Sequence, residues 1–258
     1  MISNDPIYRI KELKASMTQR DTIYSNPLSA VAGFEFNDDV VKVFPDMIQR
    51  SVPGYESIVS MIGDLAQRYA QPNSKCVDLG CSLGASSLAM AGRIDQADCE
   101  IIGVDNSPAM VERFTAILNA HPPRTPVNVV LGDVRSTNID NASVVVLNFT
   151  LQFIPVAERD QLIKNIYHGM NPGGVLIVSE KVSFEDQAHQ ELMIELHHNF
   201  KRANGYSDLE IAQKRSSLEN VLIPETLAQH RKRFQQAGFS SSDVWFQCLN
   251  FASMLAIK

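Results

Sequence analysis

The sequence predicts an α/β fold: a doubly wound, mostly parallel, Rossmann-like sheet with a helical N-terminal segment and a helical cap insertion. Three observations carry this expectation. Between Lys75 and Lys181, short apolar runs alternate with helical patterns, the rhythm of parallel strands joined by right-handed helical crossovers. Four of these runs end in a glycine turn or a polar residue, at the edge where open α/β sheets bind ligands. After the fifth run the rhythm changes to mostly helical, charged sequence.

In chain order, residues 1–72 read as a helical capping segment preceding an α/β domain over 73–258. Phe36-Asn-Asp-Asp-Val-Val-Lys-Val-Phe44 begins with an Asn/Asp cap, and Tyr55–Leu65 places apolar residues at helical spacing. Pro45, Pro53 and Gly54 break the segment between them, leaving Arg50–Tyr55 as a loop. The first strand, Cys76-Val-Asp-Leu79, runs into the turn Gly80-Cys-Ser-Leu-Gly84, and Ala85–Met90 continues as a helix. Glu100–Asp105, Val127–Leu131 and Ser143–Asn148 are the next three strands, and Asn171-Pro-Gly-Gly174 ends a helix before a fifth at Val175–Ser179. The insertion, at about 183–220, carries a Ser207-Asp-Leu-Glu210 capping box and is placed to cover the carboxyl edge of the sheet. Val244–Phe251 and Ser253–Ile257 read as closing strands that include an antiparallel hairpin.

The strand ends define a candidate site. Glycines at 80 and 84 let backbone approach a ligand closely, and the helix that follows offers N–H groups to its polar end. The Asp-x-Gly-x-x-x-Gly spacing differs from the Gly-x-Gly-x-x-Gly of a pyrophosphate-binding turn, and suits a nucleoside carrying an amino-acid tail. Asp105 lies 25 residues beyond Gly80, near the spacing at which a second strand offers a carboxylate to ribose hydroxyls. Asp133, after the third strand, can accept from an adenine amino group while a neighbouring N–H meets the ring. Asn148 ends the fourth. Helix capping by each Asp or Asn is the alternative role.

Composition narrows the classes of function. The chain has 258 residues, 45% hydrophobic and 20% charged, as expected of a globular protein with a sizeable core. It contains no run of eighteen apolar residues, and Met1–Tyr8 lacks a secretory core, so no membrane partner and a cytoplasmic location are expected. Cys76, Cys81, Cys99 and Cys248 form no Cys-x-x-Cys pair, which indicates neither a zinc knuckle nor a disulfide framework. A formal charge of −6 argues against direct nucleic-acid binding. Lys201-Arg202 and Lys214-Arg215 are a local basic exception, expected to be a solvated helix face. His197-His198, with Glu191 and Glu195 nearby, has the wrong spacing for a shared metal and reads as ordinary helix surface, so no metal is expected.

Together these features resemble the class I S-adenosylmethionine-dependent methyltransferase fold, a seven-stranded doubly wound sheet. Amino-methylating members of that superfamily carry an Asn/Asp-Pro-Pro-aromatic motif after the fourth strand, where this chain has Asn148-Phe-Thr-Leu151. No cysteine follows a proline, which argues against the thiolate chemistry of pyrimidine C5 methylation. Arg215 is suited to clamp a small carboxylate through a bidentate pair. A fixed cation repels a sulfonium, so its presence there makes sense if the group on sulfur is itself anionic.

A closer resemblance rests on Phe44–Tyr55 (Phe-Pro-Asp-Met-Ile-Gln-Arg-Ser-Val-Pro-Gly-Tyr), Asp78–Gly84 and Asp105–Met110. Val146–Phe153, Phe200–Tyr206 and Gln213–Ser216 complete it. In these blocks, and over nearly everything from Arg20-Asp21 onward, the chain resembles the carboxy-S-adenosyl-L-methionine synthases. That resemblance implies S-adenosyl-L-methionine as substrate, prephenate as carboxyl donor, and carboxy-S-adenosyl-L-methionine as the product that feeds carboxymethylation of wobble uridine in tRNA by a separate enzyme. It implies Tyr55, Gly80, Cys81 and Ser82 around the amino-acid end of the ligand, Asp105 and Asn106 at ribose, and Asp133 and Val134 at adenine. It puts Asn148 near the sulfonium and Arg215 on the transferred carboxylate, in its own site or a neighbouring subunit's, since a homodimer is also implied. A conventional methyltransferase acting on a small molecule or tRNA is the competing reading, and a non-catalytic nucleoside-binding partner of a tRNA enzyme is another.

Overall fold

Ala142-Ser-Val-Val-Val-Leu147 is buried on both faces, so its alternating side chains must enter two separate cores. Val145 and Leu147 join one apolar cluster with Leu162, Ile163, Ile166 and Phe234. Val144 and Val146 join a second with Ile58, Ile62 and Met90. This strand, β4 (Ala142–Asn148), is therefore the centre of a sheet covered by helices on both sides.

The computed structural model describes residues 19–258. Four strands precede the middle of the chain's sheet: β1 (Lys75–Leu79), β2 (Glu100–Asp105), β3 (Val127–Leu131) and β4. After them come β5 (Met170–Ser183), β6 (Glu225–Thr226), β7 (Ser241–Cys248) and β8 (Phe251–Ile257). The order across the sheet is β3-β2-β1-β4-β5-β8-β7. Neighbours from β3 to β5 are parallel, whereas β8 runs antiparallel to both β5 and β7. The order reverses between β1 and β4, the switch point at which a crevice opens beyond the strand ends. Two-residue β6 pairs with Val182-Ser183 at the end of β5, an eighth strand that the sequence pattern does not announce.

The described helices are α1 (Asp38–Ser51), α2 (Tyr55–Tyr69), α3 (Ala85–Ala91), α4 (Pro108–Ala120), α5 (Val156–Gly169), α6 (Gln187–Ala203), α7 (Asp208–Leu218) and α8 (Leu227–Ala237). None is long and apolar enough to cross a membrane. Residues 1–18, the first part of the predicted capping segment, lie outside the described residues.

Three boundaries differ from expectation. Pro45 does not break α1 but sits inside it, and the predicted loop at Arg50–Tyr55 shrinks to Val52–Gly54. The helix tolerates the missing N–H because Val40, Val43 and Met47 are buried on one face, in a cluster with Met110 of α4. The segment Asn171–Gly174 is a bulge within β5 rather than a separator, since Ala142 pairs with Met170 and Val144 with Val175. The closing hairpin turns at Leu249-Asn250, two residues before the predicted break.

The cap is tied down by ion pairs. Buried Asp21 accepts from the Tyr206 hydroxyl at 2.5 Å and lies 3.7 Å from the Lys214 ammonium. Arg50 of α1 donates to the Asn204 carbonyl (2.7 Å) and to Asp46 (3.0 Å), with its guanidinium 3.9 Å over the Tyr206 ring. The Ser207–Glu210 capping box forms as predicted and starts α7.

Candidate active site

The turn after β1 is built on backbone that only glycine accepts easily. Gly80 and Gly84 both have φ of +79°. A Cβ at Gly80 would collide with Thr150, and one at Gly84 with the Phe114 ring. Gly80 N–H and Cys81 N–H both donate to the Val104 carbonyl, at 2.8 and 3.0 Å, pinning the turn to β2. Beneath it Asp78 is buried, accepting from Ser87 Oγ at 2.6 Å, and its other oxygen, Oδ1, has no partner among the described residues. Burial pushes this carboxyl up to about 6, against the hydrogen bonds from Ser87.

The next strand ends face the same crevice. Asp105, buried at the end of β2, accepts from Ser82 N–H (2.8 Å) and Ser107 N–H (2.9 Å). It thus joins the glycine turn to the start of α4, and burial raises its pKa against those bonds. Asp133 is gripped by Arg135, whose Nε lies 2.9 and 3.0 Å from the two carboxylate oxygens. That contact holds the carboxyl below the usual range. Asn148 donates from Nδ2 to Ser86 Oγ at 3.1 Å, while its buried Oδ1 has no partner among the described residues.

These elements surround one cavity of about 1240 Å³, above the usual size of a single-ligand pocket. Tyr55, Gly80, Cys81, Ser82 and Asn148 line it, as do Asp105, Asn106, Asp133 and Val134. Nine of the ten residues singled out in the sequence are therefore brought together. The amide oxygen of Asn148, unpaired among the described residues and on the cavity lining, and the Cβ-free turn fit a ligand with a hydrogen-bond-donating amino-acid end. Arg215 is the tenth, and it sits on the exposed side of α7, outside the cavity lining.

Several lining residues went unrecognised in the sequence. Phe36 packs edge-on against Phe153 and Phe44, at centroid distances of 5.5 and 6.1 Å, forming an apolar part of the cavity wall. Arg135 also lines the cavity. The expectation of a solvated basic face holds for Arg202 and Arg215 but fails for their neighbours. Lys201 is 8% exposed and Lys214 7%, and both line the cavity with Lys181 at the end of β5. His197 is likewise not surface: it is buried, donates from Nε2 to the Ser51 carbonyl at 2.8 Å, and faces the cavity. Burial and the nearby lysines push its pKa down to about 2, so it stays neutral. The helical spacing 197-201 was the available signal, since it places both residues on one face.

The chemistry that this arrangement supports is narrow. Burial, aided by Asp78 and Asp105, pushes the Cys81 thiol up, so it is no thiolate nucleophile at neutral pH. Among the described residues no group of three or more His, Cys, Asp or Glu side chains is placed to hold a metal ion. What remains is a cavity with the glycine turn and strand-end polar groups on its lining together with Lys181, Lys201 and Lys214.

Fold and site define the class: an S-adenosylmethionine-using α/β protein of the class I methyltransferase fold. Residues 76–174 match the family described as "Methyltransferase domain". In structure, the chain is similar to an O-methyltransferase described as putative from Nostoc punctiforme PCC 73102. The TM-score is 0.61 at 18% identity, over 100% of this chain and 70% of that one. It is also similar to magnesium protoporphyrin IX methyltransferase from Synechocystis PCC 6803 with bound SAH, at TM-score 0.56 and 16% identity, covering 82% and 87% of the two chains. In sequence, a carboxy-S-adenosyl-L-methionine synthase from Aliivibrio fischeri is 58% identical over 242 residues, 94% of this chain and 100% of the relative. The synthase of the same name from Geobacter sp. strain M21 is 61% identical over 244 residues, again 94% and 100%. The chain belongs to the carboxy-S-adenosyl-L-methionine synthase family.

Proposed function

We propose that this protein converts S-adenosyl-L-methionine and prephenate to carboxy-S-adenosyl-L-methionine, phenylpyruvate and water. The observation that carries the reading is a single cavity combining a nucleoside cradle with a buried cationic wall that a plain methyl transfer does not require. Prephenate loses carbon dioxide and hydroxide as its ring aromatises. The departing hydroxide takes a proton from the sulfonium methyl and leaves as water. The electron pair left on that carbon then forms the bond to carbon dioxide.

The chain's own residues position and shield. Tyr55, Gly80, Cys81 and Ser82 hold the amino-acid end, Asp105 and Asn106 the ribose, Asp133 and Val134 the adenine. Asn148 sits by the sulfonium. Holding both substrates in contact supplies much of the rate, and the aromatic wall keeps water from the carbanion. Arg215 clamps the transferred carboxylate, and its exposed position suits reaching into a second subunit's site in a homodimer. The reading is of a cytoplasmic enzyme that binds no nucleic acid itself. It supplies a separate enzyme that carboxymethylates wobble uridine in tRNA.

Mass spectrometry after incubating the protein with S-adenosylmethionine, with and without prephenate, tests this. A prephenate-dependent nucleoside heavier by one carboxyl group is expected. Unchanged S-adenosylmethionine from folded protein, or S-adenosylhomocysteine released alongside a methylated acceptor, overturns it.

A further inference from the structure

Lys201 is nine-tenths buried in the cavity wall, and no carboxylate lies within ion-pair distance of it among the described residues. Its neighbour Lys214 differs, because Asp21 stands 3.7 Å away. Lys181, which shares the wall, also lacks an ion-pair partner among the described residues. Its backbone N–H donates to Gln152 Oε1 (3.0 Å), which anchors its place on the strand. Neighbouring ammonium groups repel, and burying them without counter-charge is costly. The fold relieves that cost by favouring the neutral amine at Lys201 and by leaving Lys181 only half-buried, so the counter-charge that would restore both ammonium groups is an anionic ligand in the cavity.

We infer that Lys181 and Lys201 form a carboxylate subsite for the second substrate, holding the carboxylate that this substrate retains through the reaction. The inference rests on the carboxyl-transfer reading above. A cation paired with the departing carboxylate would stabilise it against loss as carbon dioxide, so the pair fits the carboxylate that phenylpyruvate keeps. Neutral His197, its ring 4.8 Å from Phe251 and its Nε2 held by the Ser51 carbonyl, packs beside the pair and adds no competing charge.

Proton linkage gives this subsite its own signature. Burial, then Lys214 and Lys181, hold Lys201 down to about 7. Burial and Arg215 lower Lys181 as well. The other charged or titratable groups around the cluster are His198, Asp21, Asp46 and Arg50. A bound carboxylate favours the ammonium form, so at pH 8 binding should take up protons.

The test titrates phenylpyruvate, and separately prephenate, into protein loaded with S-adenosylhomocysteine, which has no sulfonium methyl to react. Calorimetry at pH 8 in buffers of different ionisation enthalpy reads affinity and proton uptake together. Lys201→Met and Lys181→Met should each weaken both carboxylates at least tenfold, leave S-adenosylhomocysteine affinity within twofold, and Lys201→Met should reduce the proton uptake, the remainder coming from Lys214 and Lys181. Folded variants that bind the carboxylates as the wild type does, or a wild type that binds neither, overturn the subsite. Should one variant fail to fold, the other and the wild-type proton uptake still decide. If the wild type binds phenylpyruvate with lysine dependence yet forms no carboxylated nucleoside, the subsite stands and the carboxyl-transfer reading falls.

Discussion

Asp105 shows how much one carboxylate can join. It fixes the glycine turn through Ser82 N–H and the start of α4 through Ser107 N–H, and it lines the cavity where the ribose is assigned. Asp105→Ala should therefore weaken S-adenosylmethionine and carboxy-S-adenosylmethionine alike, by about 1.5–3 kcal/mol, the range of hydrogen bonds to charged groups. Arg215→Ala should behave differently. Its side chain is exposed on α7, so stability should change by less than about 0.5 kcal/mol, while only the carboxylated ligand loses a comparable affinity. Calorimetric titration of both variants with both ligands separates the two, and equal losses for the two ligands in Arg215→Ala would sink the clamp. At this scale the strand-end residues were legible because turn chemistry is local. Lys201 and Lys214 read only as charges: the 197–201 spacing puts His197 and Lys201 on one helix face, but whether that face is covered depends on packing.

The elements that cover those lysines are α1, α6 and α7, and their junction is polar. Asp21 receives the Tyr206 hydroxyl and faces Lys214, while Arg50 spans from Asp46 to the Asn204 carbonyl. Removing one partner from such a buried set strands the others without counter-charge. Asp21→Ala should cost about 3–5 kcal/mol in urea-induced unfolding, whereas Tyr206→Phe, which keeps the ion pair, should cost about 1 kcal/mol. An Asp21→Ala loss no larger than that of Tyr206→Phe would mean the ion pair does not hold the cap. The helices themselves were readable from caps and periodicity. Pro45 misled because its local cost is outweighed by a buried face that packs on α4 and α6.

Across the whole molecule, a second buried network joins α5, β6 and α8. Glu225 pairs with Arg159 and Arg233, and His230 beside them is buried, with Nε2 unpartnered among the described residues. Burial, then Arg233, pushes His230 down to about 4 from 6.5, with Glu225 opposing and Arg159 assisting. A depressed folded pKa contributes stability that is present above about 6.5 and lost as pH falls toward 4. His230→Gln should remove that part of the acid sensitivity, on the order of 3 kcal/mol, seen as a flatter urea midpoint between pH 6.5 and 4. A variant midpoint that falls as steeply as the wild type's would rule His230 out. The sequence alone determined the doubly wound sheet, its helices and nine of the cavity's residues, because strand alternation, caps and glycine turns act over a few neighbours. Only tertiary structure decided that Lys181, Lys201, Lys214 and His197 share one cavity and that Arg215 faces outward. Those positions depend on how elements far apart in the chain pack, which no local pattern encodes.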